Sequence, residues 1–141
     1  MRIIRLVMLS AALTLLSFAA QGQGKAPGKD VLLYFVYPPN NAVIKGAFWA
    51  RFGLRNMNIT HAGDDYPNSG HHHLLIDDNE PLNPSLPILS DKTHIHFASG
   101  QTEALIDLPP GKHTLQLVLG DHNHFPFNPP VVSEKIKITV K

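Results

Sequence analysis

Apolar and polar residues alternate with a period of two along much of the chain beyond residue 30. Between 47 and 54, Phe48, Ala50, Phe52 and Leu54 fall on one side, and Trp49 and Arg51 on the other. Residues two apart on a strand share a face, so this pattern predicts a half-buried strand. The clearest case is 112–121, where His113, Leu115, Leu117 and Leu119 oppose Thr114, Gln116 and Val118. Residues 101–108 and 131–140 alternate as well, the latter with Ile136, Ile138 and Val140 against Lys135, Lys137 and Thr139. Two further runs, 31–37 and 71–77, read as strands, and 92–97 as a short one. Turn signals separate them: Pro38-Pro39-Asn40-Asn41, Asn68-Ser69-Gly70, Ser99-Gly100 and Pro109-Pro110-Gly111. A long loop at 78–91 carries Pro81, Pro84 and Pro87, and 125–130 is another Pro-rich loop. No helical period and no repeat occurs beyond the N-terminal segment. About seven short strands predict an all-β fold, an antiparallel immunoglobulin-like β-sandwich, with a small open β-barrel as the alternative.

The first 22 residues depart from this pattern. Arg2 and Arg5 precede an apolar run from Leu6 to about Ala20, followed by the small residues Ala19, Ala20 and Gly22. This is the form of a cleavable signal peptide, and the run is short for a membrane span of about 20 residues. The expected organisation is a signal peptide at 1–22, a linker at 23–30 and one domain at 31–141. The expected location is periplasmic or secreted, with no membrane span after cleavage. The 12 Lys+Arg and 11 Asp+Glu become 10 and 11 once Arg2 and Arg5 leave with the leader. That balance, without any basic run, argues against nucleic acid as a partner. The chain has no cysteine, which removes thiol catalysis, iron–sulfur clusters, zinc-thiolate sites and blue copper. A metal site here must use nitrogen and oxygen.

The chain has 9 histidines, grouped as His71-His72-His73, His94-Ile95-His96 and His122-Asn123-His124, with His61 and His113 alone. On a strand, His71 and His73 share a face, and so do His94 and His96; His122 and His124 share one if extended. If 71–77 pairs antiparallel with 112–121, the triplet lies beside His122 and His124 at one sandwich edge. Neutral imidazole is the commonest transition-metal ligand, and Cu(II) and Zn(II) both accept several. The candidate ligands are His71, His73, His94, His96, His122 and His124, of which about three or four would coordinate one ion. Asp121 is the candidate carboxylate, as ligand or as support for one. His72 points away from the other two of its triplet. His113 reads as structural, donating to a backbone carbonyl. The competing reading is that all the histidines lock loops by hydrogen bonds. Asp64-Asp65 lacks the spacing of a calcium loop. Trp49 with Arg51 marks an outward face, either a sugar or partner surface or, more often for such a pair, the second sandwich face partly covered by a loop.

The segments Phe52-Gly53-Leu54-Arg55-Asn56-Met57, Ser69-Gly70-His71-His72-His73-Leu74-Leu75-Ile76-Asp77, His94-Ile95-His96-Phe97 and Leu108-Pro109-Pro110-Gly111-Lys112-His113 resemble the bacterial DUF4399 family. The resemblance runs from about Tyr37 to Val140. It implies an exported protein whose histidine pattern is a family feature, and it implies no activity. Two positions depart from the family pattern: His61 stands where proline is usual, and Phe127 where a further histidine is usual. The first is therefore not counted as a ligand, and the second implies an altered site if that histidine ligates. The function expected is metal binding with Cu(II) or Zn(II), for storage, delivery or buffering. A mononuclear copper or zinc enzyme and a metal-free module binding an envelope protein are the alternatives.

Overall fold

The computed structural model describes residues 25–141; the expected signal peptide lies outside them. The described residues form nine strands and no helix. These are β1 (Leu32–Tyr37), β2 (Ala42–Ile44), β3 (Phe48–Arg55), β4 (Asn58–Ile59), β5 (Ser69–Ile76), β6 (His94–His96), β7 (Glu103–Ile106), β8 (Gly111–Gly120) and β9 (Ile136–Val140). They make two sheets. The smaller has the order β1-β3-β7; the larger has the order β2-β9-β8-β5-β4, with β6 also pairing β5. The larger sheet curls as a half-barrel.

The all-β expectation holds, but a wholly antiparallel sandwich does not. β2 runs parallel to β9, and β4 parallel to β5. Both pairs involve strands of three and two residues, too short for alternation to mark them. Each follows a tight turn built on an asparagine with positive φ, Asn41 and Asn56, a conformation this side chain tolerates. The pairing expected between the histidine triplet and the leucine-rich strand is present. β5 and β8 are antiparallel, with His71 opposite Gly120 and Ile76 opposite Leu115.

The inner faces of the sheets meet in one core. Leu33, Ala50, Phe52 and Ile106 come from the smaller sheet; Leu74, Ile76, Leu115, Leu117, Ile138 and Val140 come from the larger. Strand β5 is buried at all eight positions. β8 pairs along one edge, and β4 and β6 share the other. Its outer face is covered too: Leu75 and Val118 pack under Ile88 and Leu82 of the proline-rich loop. The Ile88 N–H donates to the carbonyl of His124 at 2.8 Å, tying that loop to the one after β8. Asp77 closes β5, where its carboxylate accepts the Thr114 N–H and the His113 ring, both at 2.7 Å.

Leu117 is fully buried between the sheets. Replacing it with alanine is expected to cost about 2–5 kcal/mol, because the rigid surroundings only partly collapse on the cavity. Urea unfolding of the variant checks this; a loss under about 1 kcal/mol would contradict tight packing at this layer.

Candidate metal centre

Alternation along β5 divides the histidine triplet. His72 turns inward, where its ring lies 5.2 Å from that of Phe52 and its Nδ1–H donates to the Gln101 carbonyl at 3.0 Å. His71 and His73 turn outward, on the face they share with Leu75. β6 sets His96 opposite His73, and the two rings stack at 4.8 Å with an 18° tilt. The fourth ring comes from the loop after β8. One oxygen of Asp121 accepts the N–H groups of Asn123 at 2.9 Å and Phe125 at 3.0 Å. The His124 N–H in turn donates to the Asp121 carbonyl at 2.9 Å. This tight turn holds His124 at φ 69°, a region a branched or bulky side chain seldom enters. It aims the imidazole back over β5.

His71, His73, His96 and His124 therefore converge, each offering a ring nitrogen, all within 4.8 Å of one another. His71 Nε2 lies 3.0 Å from His73 Nε2 and 3.2 Å from His124 Nδ1. Four nitrogens at about 2.0–2.1 Å from a tetrahedral zinc sit about 3.3 Å apart. The two short separations lie close to that spacing. Hydrogen bonds alone satisfy the group poorly. A neutral imidazole nitrogen has one lone pair or one N–H, so His71 Nε2 can serve only one of its two neighbours well. A cation accepts every inward lone pair at once. His71 Nδ1, His73 Nδ1 and His96 Nε2 are buried without a hydrogen-bond partner. The Nδ1 atoms face no carboxylate of the kind that orients many metal-bound histidines. Strand packing and ring stacking hold these rings instead.

Burial also fixes the charge state. Loss of solvation, then repulsion from His96 and His124, pushes His71 down to about 3 from its ordinary 6.5. Loss of solvation and then its neighbour His71 push His73 down to about 2. His96 is lowered by burial and by His124. His71, His73 and His96 thus remain neutral at physiological pH, the form that donates lone pairs to a metal.

A sequence profile described as "Domain of unknown function (DUF4399)" matches residues 50–141. The chain belongs to the DUF4399 family. All four converging histidines lie inside that match. No curated protein matches. A solved structure, the endo-beta-1,4-mannanase from Thermotoga petrophila, is similar over 80% of this chain, at 16% identity and a TM-score of 0.48. This chain spans 20% of the mannanase, and that similarity carries no functional argument.

The remaining histidines of the DUF4399 domain go elsewhere. His94 lies on the same face as His96, but both its nitrogens donate to carboxylates, Asp91 at 2.9 Å and Asp78 at 3.1 Å. Burial opposes its protonation, yet those two partners outweigh burial and raise its pKa. It clasps the two ends of the 78–91 loop. His122 lies outside the group, 3.6 Å from Asp65 and bonded to Asn123. The Asp121 carboxylate shapes the turn and is not among the converging groups. His113 donates to the Pro109 carbonyl at 2.9 Å, as its structural reading requires, and to Asp77. His61 is exposed beside Asp64. Phe127 is buried in the main core.

Spacing alone missed Gly120. A Cβ there would fall 2.9 Å from His73 Nε2 and 3.4 Å from His71 Nε2. Its place at the end of β8, opposite His71, is the sequence signal that could have found it. Gly120→Ala is expected to displace both rings and abolish tight metal binding, with the all-β circular dichroism spectrum retained. Wild-type affinity in that variant would contradict the geometry.

The lowered pKa values also set a pH dependence. Above pH 6.5 these rings are neutral whether the chain is folded or not. Below it the unfolded chain binds protons that the folded cluster refuses. Stability therefore falls with pH, by about 1.4 kcal/mol per unit for each such ring. His94 and His113, whose pKa values are raised, have their full stabilising effect below 6.5 and do not oppose the fall. The urea midpoint of metal-free protein is expected to drop steadily between about pH 6.5 and pH 4. A flat profile across that window would mean that the cluster accepts protons freely.

Proposed function

We propose that this chain is an exported protein that holds one transition-metal dication, Cu(II) or Zn(II), between His71, His73, His96 and His124. The observation that carries this reading is the convergence of four ring nitrogens, two from buried and two from partly buried histidines. Three of the rings stand on strands, and the fourth is aimed by a tight turn. An all-nitrogen set without thiolate or carboxylate suits these two metals, and the Irving–Williams order favours copper at equal geometry. The leader-like segment at 1–22 supports export to the periplasm or beyond. The role is to hold and carry the ion; the proposal requires no catalysis.

Titration of untagged, metal-free protein with Cu(II) and Zn(II) tests it. One ion per chain is expected at submicromolar affinity. A hundredfold excess over Kd would stabilise the fold by about 2.7 kcal/mol. His71→Ala and His96→Ala should each weaken binding by more than the roughly 10–100-fold typical of outer-sphere changes. His73→Ala and His124→Ala should be non-additive together, because they serve one site. His94→Ala and His122→Ala should leave affinity unchanged. Weak binding of several ions without a thermal shift would contradict the proposal.

A further inference from the structure

The outer face of the β1-β3-β7 sheet has no covering layer among the described residues. Register pairing sets Leu32, Tyr34 and Tyr37 of β1, Trp49 of β3 and Leu105 of β7 on that face. All five are exposed, Trp49 at 53% and Leu105 at 58%. Tyr37, Trp49 and Leu105 gather around Arg51 at one end of the face, and Tyr34 and Leu32 extend it along β1 beside Gly53 and Arg55; an exposed apolar face of this kind marks an interaction site. The face is also flattened. The Tyr34 ring lies across Gly53, so a Cβ at that position would fall inside the ring.

We propose that this face pairs two copies of the chain. One pair of charges on it is self-complementary, while Arg55 lies further along the same face, opposite Leu32. Arg51 and Glu103 stand side by side on β3 and β7, 3.4 Å apart, and both remain more than half exposed. A two-fold axis along the strands, between β3 and β7, sets Arg51 of one copy over Glu103 of the second. The same operation sets Trp49 over Leu105, because those residues are register partners too. Tyr37, level with Arg51 and Glu103, then overhangs edge strand β7 of the second copy, the kind of exposed edge that needs cover. An isologous contact of this sort satisfies both copies at once and closes at two. Trp, Tyr and Arg are the residues that dominate interface energetics, and no lysine lies among the pairs named. The metal centre lies on the other sheet, so this inference does not depend on it.

Sedimentation velocity on protein purified from expression of the full chain tests the proposal, with and without Zn(II). A monomer–dimer equilibrium is expected in the micromolar range. Trp49→Ala and Arg51→Glu should each raise the dimer dissociation constant by at least about tenfold. Arg51→Glu combined with Glu103→Arg should restore it. Unchanged thermal melting of these surface variants would separate lost pairing from lost folding. A protein monomeric at every concentration would overturn the proposal. So would a dimer indifferent to Trp49→Ala and Arg51→Glu, or one that the double exchange fails to restore.

Discussion

Strand Ser69–Ile76 is buried along its whole length and carries three consecutive histidines. Burial of an imidazole is tolerable when the ring is neutral and its nitrogens find partners. Of the three rings only that of His72 makes a hydrogen bond to the backbone, through one of its two nitrogens. His71 and His73 are left facing each other and two further histidines. An unpartnered buried polar atom costs about 1–3 kcal/mol. A fold that retained several of them for packing alone would gain from apolar replacements. A shared cation accepts every inward lone pair at once, which hydrogen bonds among neutral rings cannot do, and that is the physical basis for reading the cluster as a metal centre.

The surrounding architecture makes the convergence possible. Because β5 is central, β6 can place His96 on one edge while β8 ends at Gly120 on the other. The missing Cβ at Gly120 leaves room for two ring nitrogens. Asp121 then folds the chain back so that His124 closes the group. The loop at 78–91 covers the same face and is pinned at His124 by Ile88 and clasped at its ends by His94. One histidine pair thus divides its labour: His96 joins the cluster, and His94 holds the loop beside it.

Much of this was legible in the chain. Period-two alternation located β3, β7, β8 and β9; the antiparallel pairing of β5 with β8 entered only as the condition that would bring the triplet beside His122 and His124, and the fold meets it. The same-face rule correctly grouped His71 with His73 and set His94 beside His96. It could not show that Asp78 and Asp91 would occupy both nitrogens of His94, since those partners lie 16 and 3 residues away. It separated His122 from His124 poorly because the rule assumes extended chain. The Asp121-His122-Asn123 sequence was the available warning, as Asp and Asn favour tight turns. Strands β2 and β4 were too short to show a period, so the parallel pairs they make were invisible.

The central claim is that His71, His73, His96 and His124 share one metal ion. Anomalous X-ray diffraction at the absorption edge of the bound metal, on crystals of loaded protein, tests it most directly. The account predicts a single strong peak enclosed by these four rings, with nitrogens at about 2.0–2.1 Å. A peak beside His61 and Asp64, or between His122 and Asp65, with none inside the cluster, would contradict it.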